Sequence, residues 1–359
     1  MWHDRRLIDL FGIEHPILLA PMAGAMDVEL AAAVANGGGL GSLPAAMLDA
    51  TKLRDQVVAF RAAAPGKPIN LNFFAHTAPV PNNAREHAWR EALKPYYIEL
   101  GIDPSAPVPA SNRAPFDAAF CAVVEELKPE VVSFHFGLPE PALVARVKAA
   151  GAKVLSSATT LAEALWLDAR GCDAIIAQGY EAGGHRGMFL SEDLGAQIGT
   201  FALVPLVADA VKVPVIAAGG VSDARGIAAA LALGAAGVQV GSAYLHCPES
   251  RIAPAHRDLL RTARGRETAV TNVMTGRPAR GFINRVMREL GPISSITPAF
   301  PLAGGALAPL GAKAKAQGSS DFSSVWAGQA AALGRDLPAR ELTATLARDT
   351  QDLMHRLAG

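Results

Sequence analysis

Short runs of apolar residues alternate with longer Ala- and Leu-rich segments along most of the chain. Eight of these runs have the length and the flanking turn residues of buried strands: Ile17–Ala20, Gly39–Leu43, Ile69–Phe74, Val131–Phe136, Lys153–Ala158, Ala174–Gln178, Val215–Gly219 and Gly237–Ala243. The segments between them are long enough for helices, and Gly151, Gly171 and Gly234 stand where a left-handed residue would end the helix before a strand. Strands that alternate with helices predict a parallel sheet, and eight of them predict an α/β fold of the closed (β/α)8 TIM barrel type.

An open, doubly wound sheet is the competing architecture. Such sheets usually have fewer strands, and no Gly-x-Gly-x-x-Gly sequence opens the first helix of this chain. The sequence therefore favours the barrel.

Two stretches depart from the alternation of strands and helices. Residues 76–113 are rich in proline and polar residues, with a helical piece around Arg85–Leu100, and predict an excursion after the third strand. Residues 248–319 contain helical patches and a Pro-, Gly- and Ala-rich run, and predict a small helical cap domain inserted after the eighth strand, over the barrel mouth. We thus expect a barrel over 1–247, a cap over 248–319, and a segment 320–359 whose last helix, about Leu337–Leu357, returns to the barrel.

The composition narrows the classes of function. The 359 residues are 50% hydrophobic and 18% charged, which provides a large core and excludes wholesale disorder. Lys plus Arg and Asp plus Glu both number 33, so the chain lacks the excess positive charge from which nucleic-acid binding draws most of its affinity. Cys121, Cys172 and Cys247 lie far apart in no metal-ligand spacing, which favours packing roles in a reducing compartment and no metal site. The charge-free stretch 226–248 contains four glycines and fits a short helix followed by a strand better than a membrane span. Asp9 and Glu14 interrupt any apolar region near the start of the sequence, so we expect a cytoplasmic protein.

Glycines at the ends of the last two strands indicate a phosphate site. In barrels of this type the ligand groups lie at the carboxyl ends of the strands. Gly219-Gly220 ends the seventh strand and Gly241-Ser242 ends the eighth, so backbone N–H groups could approach an anion closely there. The alternative is that both pairs are only tight turns from strand to helix.

A glycine-flanked histidine follows the sixth strand. Gln178 ends that strand, and His185 stands in the sequence Gly183-Gly184-His185-Arg186-Gly187. Imidazole titrates near neutral pH, so His185 can accept a proton from a carbon acid or hold an anion. The alternative is a flexible surface loop in which the histidine is incidental.

A second histidine lies on the fourth strand. By strand alternation His135 shares a face with Ser133, and Val132, Phe134 and Phe136 share the opposite face. If the aromatic face meets the outer helices, His135 points into the barrel mouth. A hydrogen-bonded core histidine is an equally good interpretation.

The strand ends together resemble those of the nitronate monooxygenases, formerly called 2-nitropropane dioxygenases, and in particular their class I members. The Gly-Gly-His loop alone is shared with FMN-dependent enoyl-acyl-carrier-protein reductases, whereas the segment His135-Phe136-Gly137-Leu138-Pro139 is more specific to class I. The matching segments run over nearly the whole chain: 20–24, 134–139, 157–159, 178–187 and 300–305.

This resemblance implies an FMN-containing barrel. The family's catalytic base falls on His185 and its second active-site histidine on His135. Asn72 is expected to contact FMN in preference to Asn70, because it lies nearer the carboxyl end of its strand. The FMN contacts implied by motif are Met22, Asn72, Gln178, Gly183, Gly220, Gln239, Val240, Gly241 and Ser242.

The implied reaction is the oxidation of alkyl nitronates, such as propionate 3-nitronate, by O₂ to a carbonyl compound and nitrite, without reduced nicotinamide. Two other functions stay open. One is an NAD(P)H-dependent FMN reductase of enoyl thioesters or quinones on the same barrel. The other is a non-catalytic flavin-binding or scaffold protein, which the presence of both histidines disfavours. The expected partners are a small-molecule nitronate and O₂, with no nucleic acid and no membrane. A homodimer is compatible with the sequence.

Overall fold

Eight parallel strands form a barrel in the computed structural model, which describes residues 2–109, 113–262 and 267–359. Residues 110–112 of the predicted excursion and 263–266 of the predicted cap lie outside the described residues. The eight predicted strands are confirmed: β1 Ile17–Leu19, β2 Gly41–Pro44, β3 Ile69–Phe74, β4 Val131–His135, β5 Lys153–Ala158, β6 Ala174–Gln178, β8 Val215–Ala218 and β9 Gly237–Val240. A further strand, β7 (Gly184–His185), lies outside the barrel.

Helices surround the barrel and build the region over its mouth. Many begin at a residue whose side chain accepts a hydrogen bond from the first turn, as Thr160 does from Glu163 N and Asp223 from Arg225 N. No helix within the described ranges is long and apolar enough to cross a membrane. The helices are α1 Arg6–Phe11, α2 Val28–Asn36, α3 Ala50–Ala63, α4 Asn83–Glu99, α5 Ala118–Leu127, α6 Pro141–Ala149, α7 Leu161–Asp168, α8 Thr200–Ala208, α9 Ala224–Ala232, α10 Pro254–Arg261, α11 Arg285–Leu290, α12 Ala303–Ala316 and α13 Ala339–Ala358.

The barrel closes between its first two strands. Each of the other neighbouring pairs forms a parallel ladder, in the order β1-β9-β8-β6-β5-β4-β3-β2, and Leu18 and Leu40 form a parallel bridge where β1 meets β2. The last helix, α13, packs between α2 and α9. Tyr244 is fully buried beneath it and hydrogen-bonds Thr343 at 2.8 Å, so the end of the described chain returns to the barrel wall.

The excursion after β3 and the segment after β9 form a second hydrophobic core. Helix α4 packs against α12, and Trp89 donates from Nε1 to the carbonyl oxygen of Ala303 at 3.1 Å. Phe322, which follows α12, belongs to the same core. Two distant parts of the sequence therefore build one structure over the barrel mouth.

This region also contains a small antiparallel sheet that the sequence analysis did not predict. Strand β10 (Thr268–Thr271) pairs with β11 (Ala279–Phe282), and β11 pairs with β7. Because β7 contains His185, the sheet ties the glycine-flanked loop to the segment after β9. The segment predicted as a helical cap therefore contains two β-strands as well as helices.

Candidate active site

A cavity of about 690 Å³ opens at the carboxyl ends of the barrel strands. Its walls come mainly from the strand ends, from the His185 loop, from residues 251–258 and from residues 315–330. The predicted site residues that line it are Met22, Asn72, His135, Gln178, Gly183, His185, Gly220, Gln239, Gly241 and Ser242. Val240 is the exception, since its side chain is fully buried in the barrel and its carbonyl oxygen accepts from Ala20 N.

Gln178 clamps the loop that carries His185. Its side-chain nitrogen donates to the carbonyl oxygen of His185 at 2.9 Å, and its side-chain oxygen accepts from Gly187 N at 2.7 Å. A side chain at Gly187 would come within 3.0 Å of the ring of His135. The loop is therefore held against the end of β6 and close to β4.

Arg186 holds the same loop through a buried network of hydrogen bonds. It is fully buried, and its guanidinium donates to the carbonyl oxygens of Gly179 and Gln178 at 2.7 and 2.8 Å and to the side chain of Gln197 at 3.0 Å. Burial lowers the pKa of Arg186 to about 10, so the group stays charged at neutral pH. A buried charge with several acceptors fixes a loop firmly, because losing any acceptor would leave that charge unsolvated.

Both ring nitrogens of His135 have partners. Nε2 lies 3.0 Å from the carbonyl oxygen of His185, which can only accept, so Nε2 carries a proton. Burial lowers the pKa of His135 to about 4, so the ring is neutral and Nδ1 accepts from the Ser157 hydroxyl at 3.1 Å. His135 thus reaches the cavity wall, where it supports the His185 backbone.

The ring of His185 lies among aromatic side chains. Phe300 and Trp326 have ring centroids 5.3 and 5.5 Å from it, and Nε2 lies 2.9 Å from the Thr275 hydroxyl. Burial, followed by the positive charge of neighbours including Arg113 and Arg277, holds the pKa of His185 well below its usual range. The imidazole is therefore neutral at physiological pH, with one ring nitrogen unprotonated.

The predicted position of Phe136 is wrong. Strand β4 ends at His135, and Phe136 has a φ of +73°, which breaks the alternation of faces. Its ring consequently turns to the cavity side, with centroids 4.5 Å from His135 and 6.0 Å from His185. Phe134 does face outward as expected, and packs edge-on against Phe116.

Several residues near the site carried no signal in the sequence analysis. Phe74 and Arg113 line the cavity, and Thr275 lies behind His185. His76 is buried against Phe300, with both ring nitrogens lacking a hydrogen-bond partner in the described part of the chain. Phe74 ends β3, His76 and Arg113 belong to the excursion, and Thr275 follows β10. Only the long-range fold brings the excursion and the region after β9 to the loop.

The glycine-rich end of the cavity is compatible with a phosphate group. Gly219 and Gly220 have φ of +108° and +73°, and the N–H groups of Gly220 and Val221 have no acceptor among the described residues. A short 3₁₀ helix begins at Ser242, whose hydroxyl accepts from Gly328 N at 2.8 Å. Free amide donors at two adjacent strand ends are a suitable environment for an anion.

Gly183 lines the cavity and also has a packing role. A Cβ there would come within 2.5 Å of Gly328 N. The close approach of these two loops requires glycine at this position whether or not a ligand contacts it.

Comparison with known proteins supports the resemblance seen in the sequence. The family model described as nitronate monooxygenase matches residues 4–349. A nitronate monooxygenase of Paraburkholderia phytofirmans is 44% identical, over 98% of this chain and 97% of its own length. The structure of a nitroalkane oxidase from Streptomyces ansochromogenes covers 98% of this chain and 99% of its own at 37% identity, with a TM-score of 0.89. FabK from Thermotoga maritima covers 99% and 98% at 29% identity, with a TM-score of 0.74.

Proposed function

The chain belongs to the nitronate monooxygenase family, and from this premise we propose that it binds FMN in the cavity and oxidises alkyl nitronates of the propionate 3-nitronate type with O₂, giving a carbonyl compound and nitrite. The family is one of flavin-dependent oxidoreductases, and the chain is an enzyme of that family. In this proposal FMN is the flavin, O₂ is the oxidant and His185 accepts the proton.

The glycine-rich strand ends would hold the phosphate of FMN. The free N–H groups of Gly220 and Val221, with the start of the 3₁₀ helix at Ser242, provide donors to an anion. The remaining cofactor would contact side chains and backbone along the cavity wall: Met22, Asn72, Gln178, Gly183, Gln239 and Gly241. FMN supplies the electron acceptor for the oxidation when it is bound.

His185 is the proposed proton acceptor. Its ring is neutral and desolvated, and the aromatic rings around it exclude water from one side of the cavity. His135, Gln178 and Arg186 position it by holding its carbonyl oxygen and its loop. The positive charges of Arg113 and Arg277 favour an anionic substrate such as a nitronate over a neutral one.

One observation carries the proposal. The histidine that the family resemblance singles out lies on the cavity wall, with its pKa lowered by burial and its backbone fixed by two side-chain donors. An imidazole held in this way presents an unprotonated nitrogen to the cavity at neutral pH, while its lowered pKa makes it a weaker base than a free histidine.

The alternative is an NAD(P)H-dependent FMN reductase of enoyl thioesters or quinones. The similarity to FabK favours this alternative, but at 29% identity and a TM-score of 0.74 it is weaker than the similarity to the nitroalkane oxidase. The two functions differ in the electron donor, which a direct measurement can identify.

The role of His185 can be tested with two forms of one substrate. A neutral nitroalkane must lose an α-proton before oxidation, whereas its nitronate has already lost it. His185→Asn keeps a polar side chain without a usable proton acceptor, so the rate with the nitroalkane should fall by about 10²–10⁴-fold. The nitronate should lose a smaller factor.

Steady-state rates of the flavin-loaded variant with nitroethane and with ethyl nitronate make this comparison, with flavin occupancy measured in parallel. Equal fractional losses on the two forms would contradict proton abstraction by His185.

A further inference from the structure

The two ring nitrogens of His185 differ in their surroundings. Nε2 lies 2.9 Å from Oγ1 of Thr275. No hydrogen bond of Nδ1 is seen among the described residues, and the ring lines the cavity. A base needs an unprotonated nitrogen on the substrate side, so the proton of the neutral ring must be on Nε2 for Nδ1 to act.

The hydroxyl of Thr275 can adopt two arrangements. In the first it donates to the carbonyl oxygen of Arg277, 3.4 Å away, and accepts a hydrogen bond from the His185 Nε2 proton. In the second it donates to Nε2, and the ring proton moves to Nδ1. The first arrangement gives both donors an acceptor within the protein, whereas the second leaves an Nδ1 proton without one in the described chain.

The number of hydrogen bonds that form within the protein separates these arrangements. Thr275 is 2% exposed, so its hydroxyl has little access to water. In the first arrangement this buried hydroxyl makes two hydrogen bonds, because the Arg277 carbonyl can act only as an acceptor, whereas in the second it makes one, to His185. The long distance to Arg277 makes that second hydrogen bond weak, but it is a contact that the first arrangement gains and the second loses.

We propose that Thr275 is a positioning residue that holds His185 in the Nε2-protonated form and thereby leaves the Nδ1 lone pair facing the cavity as the proton acceptor. This inference rests on the proposed function for its catalytic meaning, but the protonation pattern of the ring is a property of the protein itself. Thr275 acts through His185 and does not line the cavity.

Nitrogen NMR of the ¹⁵N-histidine-labelled, flavin-loaded protein tests the protonation pattern directly. The His185 signals, identified by their absence in His185→Asn, should show a protonated Nε2 and an unprotonated Nδ1 at pH 7. In Thr275→Val the Nε2 proton loses its acceptor, so the signals should move toward the Nδ1-protonated form, while Thr275→Ser should retain the wild-type pattern.

Thr297→Val is the matched control. Thr297 is also buried, at 4% exposure, and its hydroxyl has no partner in the described chain, so removing it should leave the His185 signals unchanged. The rate constants give a second readout: Thr275→Val should lower kcat/KM for the nitroalkane by about tenfold or more, with a smaller loss for the matching nitronate and unchanged flavin content.

Two results would overturn the inference: a proton on Nδ1 in the wild-type protein, or a Thr275→Val spectrum identical to that of the wild type. If the wild type oxidises neither substrate form, the proposed function fails, and the NMR result still decides the inference about Thr275. If Thr275→Val does not fold, the wild-type and Thr275→Ser spectra carry the test.

Discussion

Three histidines near the cavity differ in what their ring nitrogens contact. His135 uses both nitrogens, His185 uses one, and His76 uses neither within the described chain. These differences in hydrogen bonding indicate a different role for each histidine. His135 supports the loop, and His185 keeps one nitrogen for chemistry. His76 is an apolar packing residue in effect, since Phe300 lies edge-on to it at 4.9 Å.

The environment of His76 predicts a pH dependence of stability. Burial lowers its pKa to about 4, from 6.5 in the unfolded chain, so the unfolded state binds more protons between these values. The contribution of His76 to the free energy of unfolding is therefore fully present above pH 6.5 and is lost as the pH drops toward 4. His135 and His256, whose pKa values burial also lowers to about 4, act in the same direction.

Replacing His76 by phenylalanine should remove one of these contributions. The His76→Phe protein should match or exceed the wild-type stability at pH 7, because no hydrogen bond within the described chain is lost. Between pH 6 and 4.5 its unfolding free energy should fall less steeply, by about 1.4 kcal/mol per pH unit. Urea unfolding at several pH values measures this slope, and His87→Phe at an exposed position controls for the loss of a histidine. An unchanged slope would contradict the assignment.

The ends of the strands were the most predictable part of the site. Gly220, Gly241 and Ser242 lie at the cavity as expected, because the end of a buried apolar run and a following glycine are local features of the sequence. Phe136 was placed wrongly, since its left-handed backbone accompanies contacts with Phe300 and His185 that are distant in sequence. Strand β7 has two residues and pairs only with β11, so no local pattern could predict it.

The proposed phosphate site at the end of β8 can be tested with two matched glycines. Gly220 and Gly66 have φ of +73° and +72°, and a Cβ at Gly66 meets nothing within 4 Å, whereas Gly220 lines the cavity. Valine at either position carries a similar left-handed strain, about 1–2 kcal/mol or more. Only Gly220→Val should place a side chain where the phosphate would bind.

We therefore expect Gly220→Val to purify with little FMN and Gly66→Val to retain it. The flavin-to-protein absorbance ratio measures occupancy, and circular dichroism checks that both variants fold. A folded Gly220→Val protein with full FMN occupancy would remove the phosphate assignment.

At the scale of the whole molecule, the cavity lies between the barrel, which the sequence predicts well, and the structure over the barrel mouth, which it predicts poorly. The barrel follows from eight apolar runs and their spacing. The structure over its mouth combines α4 with α12 through Trp89 and Phe322, residues separated by most of the chain, so the sequence pattern indicated an excursion and a cap but not that they share one core. Phe74 at the end of β3 and Trp326 after α12 lie far apart in the sequence but line the same cavity.

The central claim is that a nitronate, and not a reduced nicotinamide, delivers electrons to the bound flavin. The most direct measurement is anaerobic: the purified flavoprotein is mixed with propionate 3-nitronate, with NADH or with NADPH, and the flavin absorbance is followed over time. The account predicts rapid loss of the oxidised flavin spectrum with the nitronate and none on that timescale with either nucleotide. Rapid bleaching by NADH or NADPH, with no response to the nitronate, would contradict it and establish the reductase alternative.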